Sequence, residues 1–338
     1  MSIFLAILGL TLLIIVHELG HMWAARAFGM RVEAFSIFFD PPLLRWRGRR
    51  TNYQIGMIPL GGYVRIAGTN PTEQLAADDR GSYQSKSRLA QAITIGAGPA
   101  INYVFCFVLI LAVLMIWGKP LHRIVIKPLK SSAALAAGLK DGDEIRSVDG
   151  KPLNHWDQLA RAIHDSAGKS LTLGVLRGDK SLALAVAPKE KGGVYSLGIS
   201  ASIRFRFEPV PLGDAVSAAG TFCVTETKKI LQFLGRLATG EISSKNVGGP
   251  VSIVKQLKTS VETSWATFIM LLALINVYLG LFNILPLPAL DGGRLVFILI
   301  GAITRRSVNA RVEQAVHSIG FIVLLGLLVL LTYKDIFN

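Results

Sequence analysis

Two histidines and a glutamate sit together at His17-Glu18-Leu19-Gly20-His21. In a helix, positions i and i+4 lie on one face, so both imidazoles reach one metal ion. The intervening Glu18 lies where it can take a proton from a water on that metal. Zinc is the ion such a motif serves, because it lowers the pKa of a bound water to about 7. A catalytic zinc site takes three protein ligands and keeps one position open, so a third ligand must come from elsewhere in the chain.

The surroundings of the motif are apolar. Hydrophobic residues make up 51% of the 338 and charged residues 17%, with a mean hydropathy of +0.47. Soluble domains carry nearer a quarter charged residues, which points to a membrane protein. Four apolar runs stand out: Ser2 to about Ala25, Ile93 to Trp117, Trp265 to Leu285, and Val316 to Leu331. The first three are long enough for a ~30 Å hydrocarbon core and the fourth is near the short limit. Leu295–Ile303 is too short to span and reads as a re-entrant or interfacial piece. A cleaved signal peptide is disfavoured for the first run, since no Lys or Arg precedes Arg26. Ionisable residues inside a span are functional by default.

Charge sets the expected orientation. Ten Lys/Arg lie between Arg26 and Arg88, and Arg294, Arg305, Arg306 and Arg311 follow the third run. The positive-inside rule places these loops in the cytoplasm and both termini outside. The net charge of +14 then belongs largely to membrane-flanking loops, and no groove-reading motif supports nucleic-acid binding. Two cysteines, Cys106 and Cys223, are far apart and form no CxxC pair, which argues against a disulfide framework or a cysteine zinc site.

The segment between the second and third runs falls in two parts. From about Leu121 to Ile203 strand-like alternation surrounds a helical stretch, His155 to Ala167, with Asp149-Gly150 and Arg177-Gly178-Asp179 as turns. This reads as a mixed α/β module. Leu212 to Leu257 reads as helical and amphipathic, lying on the membrane surface or packed on the module. The expected fold is an α-helical integral membrane protein with about four transmembrane helices and an extracytoplasmic α/β domain. Its divisions are residues 1–118 (two spans and a cytoplasmic loop), 119–205 (the module), 206–264 (amphipathic linker) and 265–338 (two spans).

Asp291 lies at the depth required of a third ligand, after the third run and near the cytoplasmic end as His17 and His21 are; His317 is the rival, and an Asp-Gly turn residue is the plain alternative for Asp291. Pro286 and Pro288 break the helix there, and Asn283 at the break is placed to bond a substrate backbone or to satisfy the broken helix. Tyr53 to Ile66, containing Gly61, Gly62 and Tyr63, reads as a glycine-rich hairpin whose edge takes an extended substrate by β-augmentation, or as an ordinary cytoplasmic loop.

Together, HELGH at 17–21, Pro59-Leu60-Gly61-Gly62-Tyr63-Val64, Gly98-Pro99-Ala100-Ile101-Asn102, Val247-Gly248-Gly249-Pro250-Val251 and Asn283 through Gly293 resemble the site-2 protease family of intramembrane metalloproteases, in particular the bacterial regulator-of-sigma-E type. The module resembles a bacterial PDZ domain. The resemblance implies Zn2+ held by His17, His21 and Asp291, and Glu18 as general base. The candidate substrate contacts, Asn283, Gly61, Gly62 and Tyr63, rest on the reading of the helix break and the hairpin. The resemblance also implies a place in the cell inner membrane and cleavage of single-span proteins, such as anti-sigma factors or remnant signal peptides, after a first external cut by a site-1 protease. Relatives often carry tandem PDZ domains where one is visible here, and often an Asn where this chain has Tyr278, with its own Asn at 276. Two other readings remain at this point: a membrane-anchored PDZ scaffold with a structural HExxH, and a transporter, which lacks the expected internal repeats.

Overall fold

The structure, a computed structural model, describes every residue except 71, 75, 77, 154, 155, 192, 193, 242–247, 307 and 338, and omits the side chains of 59, 60, 120–123, 157, 191, 194 and 201–206. His155 and Val247, singled out above, lie outside the described residues, as do the side chains of Pro59, Leu60 and His122. In chain order the elements are α1 (Ser2–Ala27), β1 (Val32–Arg47), β2 (Asn52–Ile66), α2 (Arg88–Ile116), β3 (Lys119–Pro128), α3 (Ala133–Ala136), β4 (Asp143–Val148), β5 (Lys151–Pro152), α4 (Trp156–Asp165), β6 (Leu171–Arg177), β7 (Lys180–Val186), β8 (Lys189–Lys191), β9 (Val194–Ser196), β10 (Ile199–Glu208), α5 (Leu212–Ala238), α6 (Pro250–Thr263), α7 (Trp265–Ile284), α8 (Asp291–Thr304) and α9 (Ala310–Phe337). They form two compact units, one of residues 1–113 with 212–338 and one of residues 114–211.

In the first unit α1, α2, α7 and α9 are each long and apolar enough to cross a membrane, as a membrane protein requires. The fourth span is longer than its apolar run, because the helix continues through Arg311, Glu313 and His317. It buries no residue, so its apolar side chains are free to face lipid. The α8 helix has 14 residues and extends only about 21 Å, too short to span.

Helix α1 is gripped along its length by small residues. A side chain at Gly9 would meet Leu272 and Phe268 of α7, and one at Gly20 would meet the Ala97 carbonyl of α2. Small residues let helix backbones approach in a membrane, where apolar burial alone drives no association. Ala6, Leu13, Leu257, Phe268 and Leu272 form one buried cluster of α1, α6 and α7. The end of α9 is tied to the start of α6: the Gly249 and Ser252 N–H groups donate to Asp335 at 3.0 and 2.8 Å. That carboxylate satisfies donors that the helix N-terminus leaves unpaired.

The glycine-rich stretch departs from expectation. Its residues belong to one strand, β2, whose partner β1 was not anticipated, and the hairpin turn lies at 48–51, where Gly48 N–H donates to Thr51 O at 2.9 Å. Gly61 and Gly62 lie within β2 instead. The physical reason is a fold-back: Ala34–Ile37 lies between the two ends of β2, pairing with Asn52–Ile55 and with Gly62–Arg65, while Asn52–Gly56 also pairs with Pro42–Arg47. The glycines allow this crossing, since Gly61 has φ +150° and a side chain there would strike the Phe39 ring. Met22 and Ala25 of α1 pack with Val32, Phe35 and Ile66, which seats the sheet against the C-terminal part of the motif helix.

In the second unit the strand order is β10-β3-β4-β6-β7, with β5 beside β4. Asp149 and Gly150 both take positive φ, +47° and +76°, as a tight two-residue hairpin turn demands. Ile124, Ile126, Leu139, Ile145, Leu159, Leu173 and Val175 build one core between sheet and helices. A buried carboxylate, Asp143, 1% exposed, pairs with Arg177 at 2.7 Å, and the Lys140 N–H adds a bond at 2.8 Å. Burial alone would raise the Asp143 carboxyl, but the Arg177 guanidinium and the Lys140 N–H outweigh it and hold the group below the ordinary carboxylate range. A carboxyl lowered by folding stabilises above its unfolded pKa, about 3.9, and that contribution is lost as pH falls through the lower folded value. Asp143→Asn should therefore cost this unit about 2 kcal/mol at pH 7. Hydrogen exchange of the β4 and β6 amides should show faster opening at pH 7 and a narrowing difference from the parent as pH drops toward 3.

Candidate active site

His17 and His21 sit one turn apart on α1, and Asp291 is the first residue of α8. The break between α7 and α8 carries Pro286 and Pro288, and the chain turns back sharply over the start of α8. Side chains at Gly292 or Gly293 would overlap the carbonyls of Ile284, Leu285 and Leu287, so this glycine pair is what permits the turn. His317 of α9 holds the same loop, its Nδ1 accepting the Ala289 N–H at 3.0 Å, and its ring lies on Phe297. Asp291 thus begins a helix and is not an Asp-Gly turn residue.

The loop aims Asp291 at the two imidazoles. Asp291 Oδ2 is 3.2 Å from His17 Nε2 and 3.2 Å from His21 Nε2, and the two Nε2 atoms are 3.2 Å from each other. The three atoms make an equilateral triangle. A tetrahedron with that edge has its centre about 2.0 Å from each corner, the length of zinc bonds to imidazole nitrogen and carboxylate oxygen. Protons fit the triangle poorly. The His21 Nδ1 lies 2.9 Å from the Thr94 carbonyl, which only accepts, so Nδ1 carries the proton of a neutral ring and Nε2 turns a lone pair inward. Asp291 Oδ2 is buried without a hydrogen-bond donor. Lone pairs converging on one point call for a cation, and among the described residues His17, His21 and Asp291 form the group of His, Cys, Asp or Glu donors close enough to hold one.

Other side chains shape the site. Glu18 Oε2 accepts the Val64 backbone N–H at 2.9 Å, which fixes the carboxylate beside the triangle and against β2. The His17 Nδ1 is 3.1 Å from the Asn102 side chain, and Asn276 Nδ2 donates to the Asn102 carbonyl at 2.6 Å. A cavity of about 270 Å3 opens onto His17, Glu18, His21, Asp291, Tyr63 and Asn283. Tyr63 Oη donates to Asp40 at 2.8 Å and accepts from Gln54 at 2.8 Å; burial and then the Asp40 carboxylate push this phenol above its ordinary pKa. Asn283 Nδ2 donates to Leu279 O at 3.0 Å, within its own helix. Gly61 and Gly62 do not line the cavity.

Sequence reasoning did not identify Thr94, Val64, Asn102 or Asn276 as partners of the site. Asn102 and Asn276 carried a signal, as polar residues inside apolar runs. Thr94 and Val64 act through backbone groups, which no residue type reveals.

An HExxH helix among membrane-spanning helices, with a carboxylate from a distant helix closing the donor set, defines a membrane metallopeptidase. Residues 5–327 match Peptidase family M50, and the chain belongs to that family. It is similar to proteins assigned as zinc metalloproteases in Nostoc sp. (35% identity, 99% of this chain and 96% of the relative) and Clostridium perfringens (32%, 99% and 98%). A third, in Agrobacterium fabrum, is 30% identical over 98% of this chain and 94% of the relative. The protein is a zinc metalloprotease of the site-2 protease family.

Space is as important as donors here. A side chain at Gly98 of α2 would overlap His21 Nε2 and meet His17 Cε1 at 2.9 Å. Gly98→Ala should displace both rings and weaken zinc binding at least 10-fold, on the scale of lost outer-shell support; zinc content after dialysis against a graded chelator series measures this.

Proposed function

We propose that this chain is an intramembrane protease of the regulator-of-sigma-E type. His17, His21 and Asp291 hold its zinc and Glu18 is its general base. The observation that carries this reading is the 3.2 Å triangle of Nε2, Nε2 and Oδ2 atoms with the Glu18 carboxylate beside it. Zinc held there supplies an activated water and polarises the scissile carbonyl. Glu18 takes the proton of the attacking water and returns it to the leaving amine.

A peptide bond within a helix is shielded from attack, so the substrate must be extended at the site. Gly62–Ile66 pairs on one side with Val32–Ile37, and among the described residues no strand pairs with its other edge. That edge faces Glu18 through Val64, and an extended segment adding to it passes the base. Tyr63, with Gly61 and Gly62 letting the strand approach, and Asn283, which lines the same cavity as Tyr63, complete the substrate contacts.

The substrates are transmembrane segments of single-span proteins, such as anti-sigma factors or remnant signal peptides, cut after a first external cleavage by a site-1 protease. The enzyme resides in the bacterial inner membrane with both termini outside. Residues 119–205 form a single extracytoplasmic PDZ-like domain, supported by a five-strand antiparallel path flanked by two helices. Residues 206–264 form an amphipathic linker at the membrane surface, and the basic loops set the orientation.

Glu18→Gln should keep about one zinc per chain and lower cleavage of a model transmembrane substrate by at least ~100-fold; full activity in that variant overturns the mechanism. Asp291→Ala should lose zinc while His317→Ala keeps it, and the reverse result reassigns the third ligand. A reporter fused within residues 66–85 should read as cytoplasmic.

A further inference from the structure

We infer that Asn102 is a positioning residue for the metal site: its side-chain amide decides which nitrogen of His17 carries the proton. The inference rests on the reading of His17 as a zinc ligand.

The two histidines are supported differently. Behind His21 stands the Thr94 backbone carbonyl at 2.9 Å, an acceptor only, so the neutral His21 ring turns a lone pair to the triangle. Behind His17 stands the Asn102 amide at 3.1 Å, which presents either an acceptor oxygen or a donor NH2 according to a 180° rotation of the group. With the NH2 toward His17, Nδ1 accepts and the ring proton sits on Nε2, directed at Asp291 Oδ2, 3.2 Å away. With the oxygen toward His17, Nδ1–H donates and Nε2 offers its lone pair. The ring is neutral in both arrangements, and only the second can bind a metal.

The structure has the nitrogen end against His17, while Asn102 Oδ1 is buried with no hydrogen-bond partner. Asn102 is 0% exposed, in the apolar span α2, where an unsatisfied amide atom is costly. Its backbone is held independently, because Asn276 Nδ2 donates to the Asn102 carbonyl at 2.6 Å and survives any change of the Asn102 side chain. Asn102 therefore sits on a fixed turn with its side-chain amide against His17 Nδ1, and metal binding at His17 Nε2 selects its oxygen-inward orientation.

Zinc affinity, measured by competition with a chelator on the full chain in detergent, tests this. Asn102→Asp, which supplies only acceptor oxygens, should bind zinc at least as tightly as the parent. Asn102→Leu, of similar volume without an acceptor, should bind 10- to 100-fold more weakly. An Asn that only joins helices predicts equal losses in both variants or in neither, and either pattern overturns the inference. If Asn102→Leu fails to fold, the Asp variant still decides: a loss of 10-fold or more there refutes the role. Nitrogen-15 NMR of labelled histidine in the zinc-loaded parent should show the His17 proton on Nδ1, and a proton-free Nδ1 refutes the role. His17→Ala is the control: retention of zinc by that variant discards the ligand assignment itself, whereas zinc loss there with unchanged affinity in Asn102→Leu discards only the role of Asn102.

Discussion

Three lone-pair-bearing atoms meet within 3.2 Å of one another in the apolar part of the molecule. No arrangement of ring protons satisfies all three contacts, so a cation is the natural centre of that meeting, and most of the surrounding architecture exists to make it possible. Helix α1 brings two donors at helical spacing. The third comes from far along the chain, which demands a break in the helix and a new helix that starts with Asp291. Pro286, Pro288, Gly292 and Gly293 provide the break and the room for it, and His317 of α9 braces the loop in between.

The second demand is that polar groups inside an apolar region be satisfied. Thr94, Asn102, Asn276 and Val64 meet part of it, by one bond each to His21, to His17, to the Asn102 carbonyl and to Glu18. Two of these come from α2, whose close crossing with α1 at Gly20 and Ala97 brings its backbone within reach of an imidazole. The β1–β2 sheet contributes in the same manner: it is seated on α1 by Met22 and Ala25, and that seat places the Val64 N–H against Glu18.

The spans and the metal motif were legible because each is written in local spacing: long apolar runs, and two histidines one turn apart. Asp291 was singled out by an argument from depth, and its Oδ2 lies 3.2 Å from both imidazole Nε2 atoms. The sheet was harder. Val32–Arg47 contains two adjacent prolines and several charges, and its strand character depends on pairing with both halves of a folded-back β2, a relation no local pattern contains. The glycines at 61 and 62 suggested a turn, and they serve a crossing inside a strand. The partners of His21 and Glu18 were illegible in principle, being a carbonyl and an amide of the main chain.

Gly98 bears on what this motif is as a unit of engineering. The five residues from His17 to His21 suffice to recognise the site, yet they do not suffice to rebuild it. The imidazoles occupy a hollow that exists because the facing helix has no side chain at Gly98, one turn beyond the carbonyl that orients one of them. A transplant of HELGH onto another pair of membrane helices would carry the donors without their mould. The portable object is a two-helix pattern, half of it made of an absent side chain.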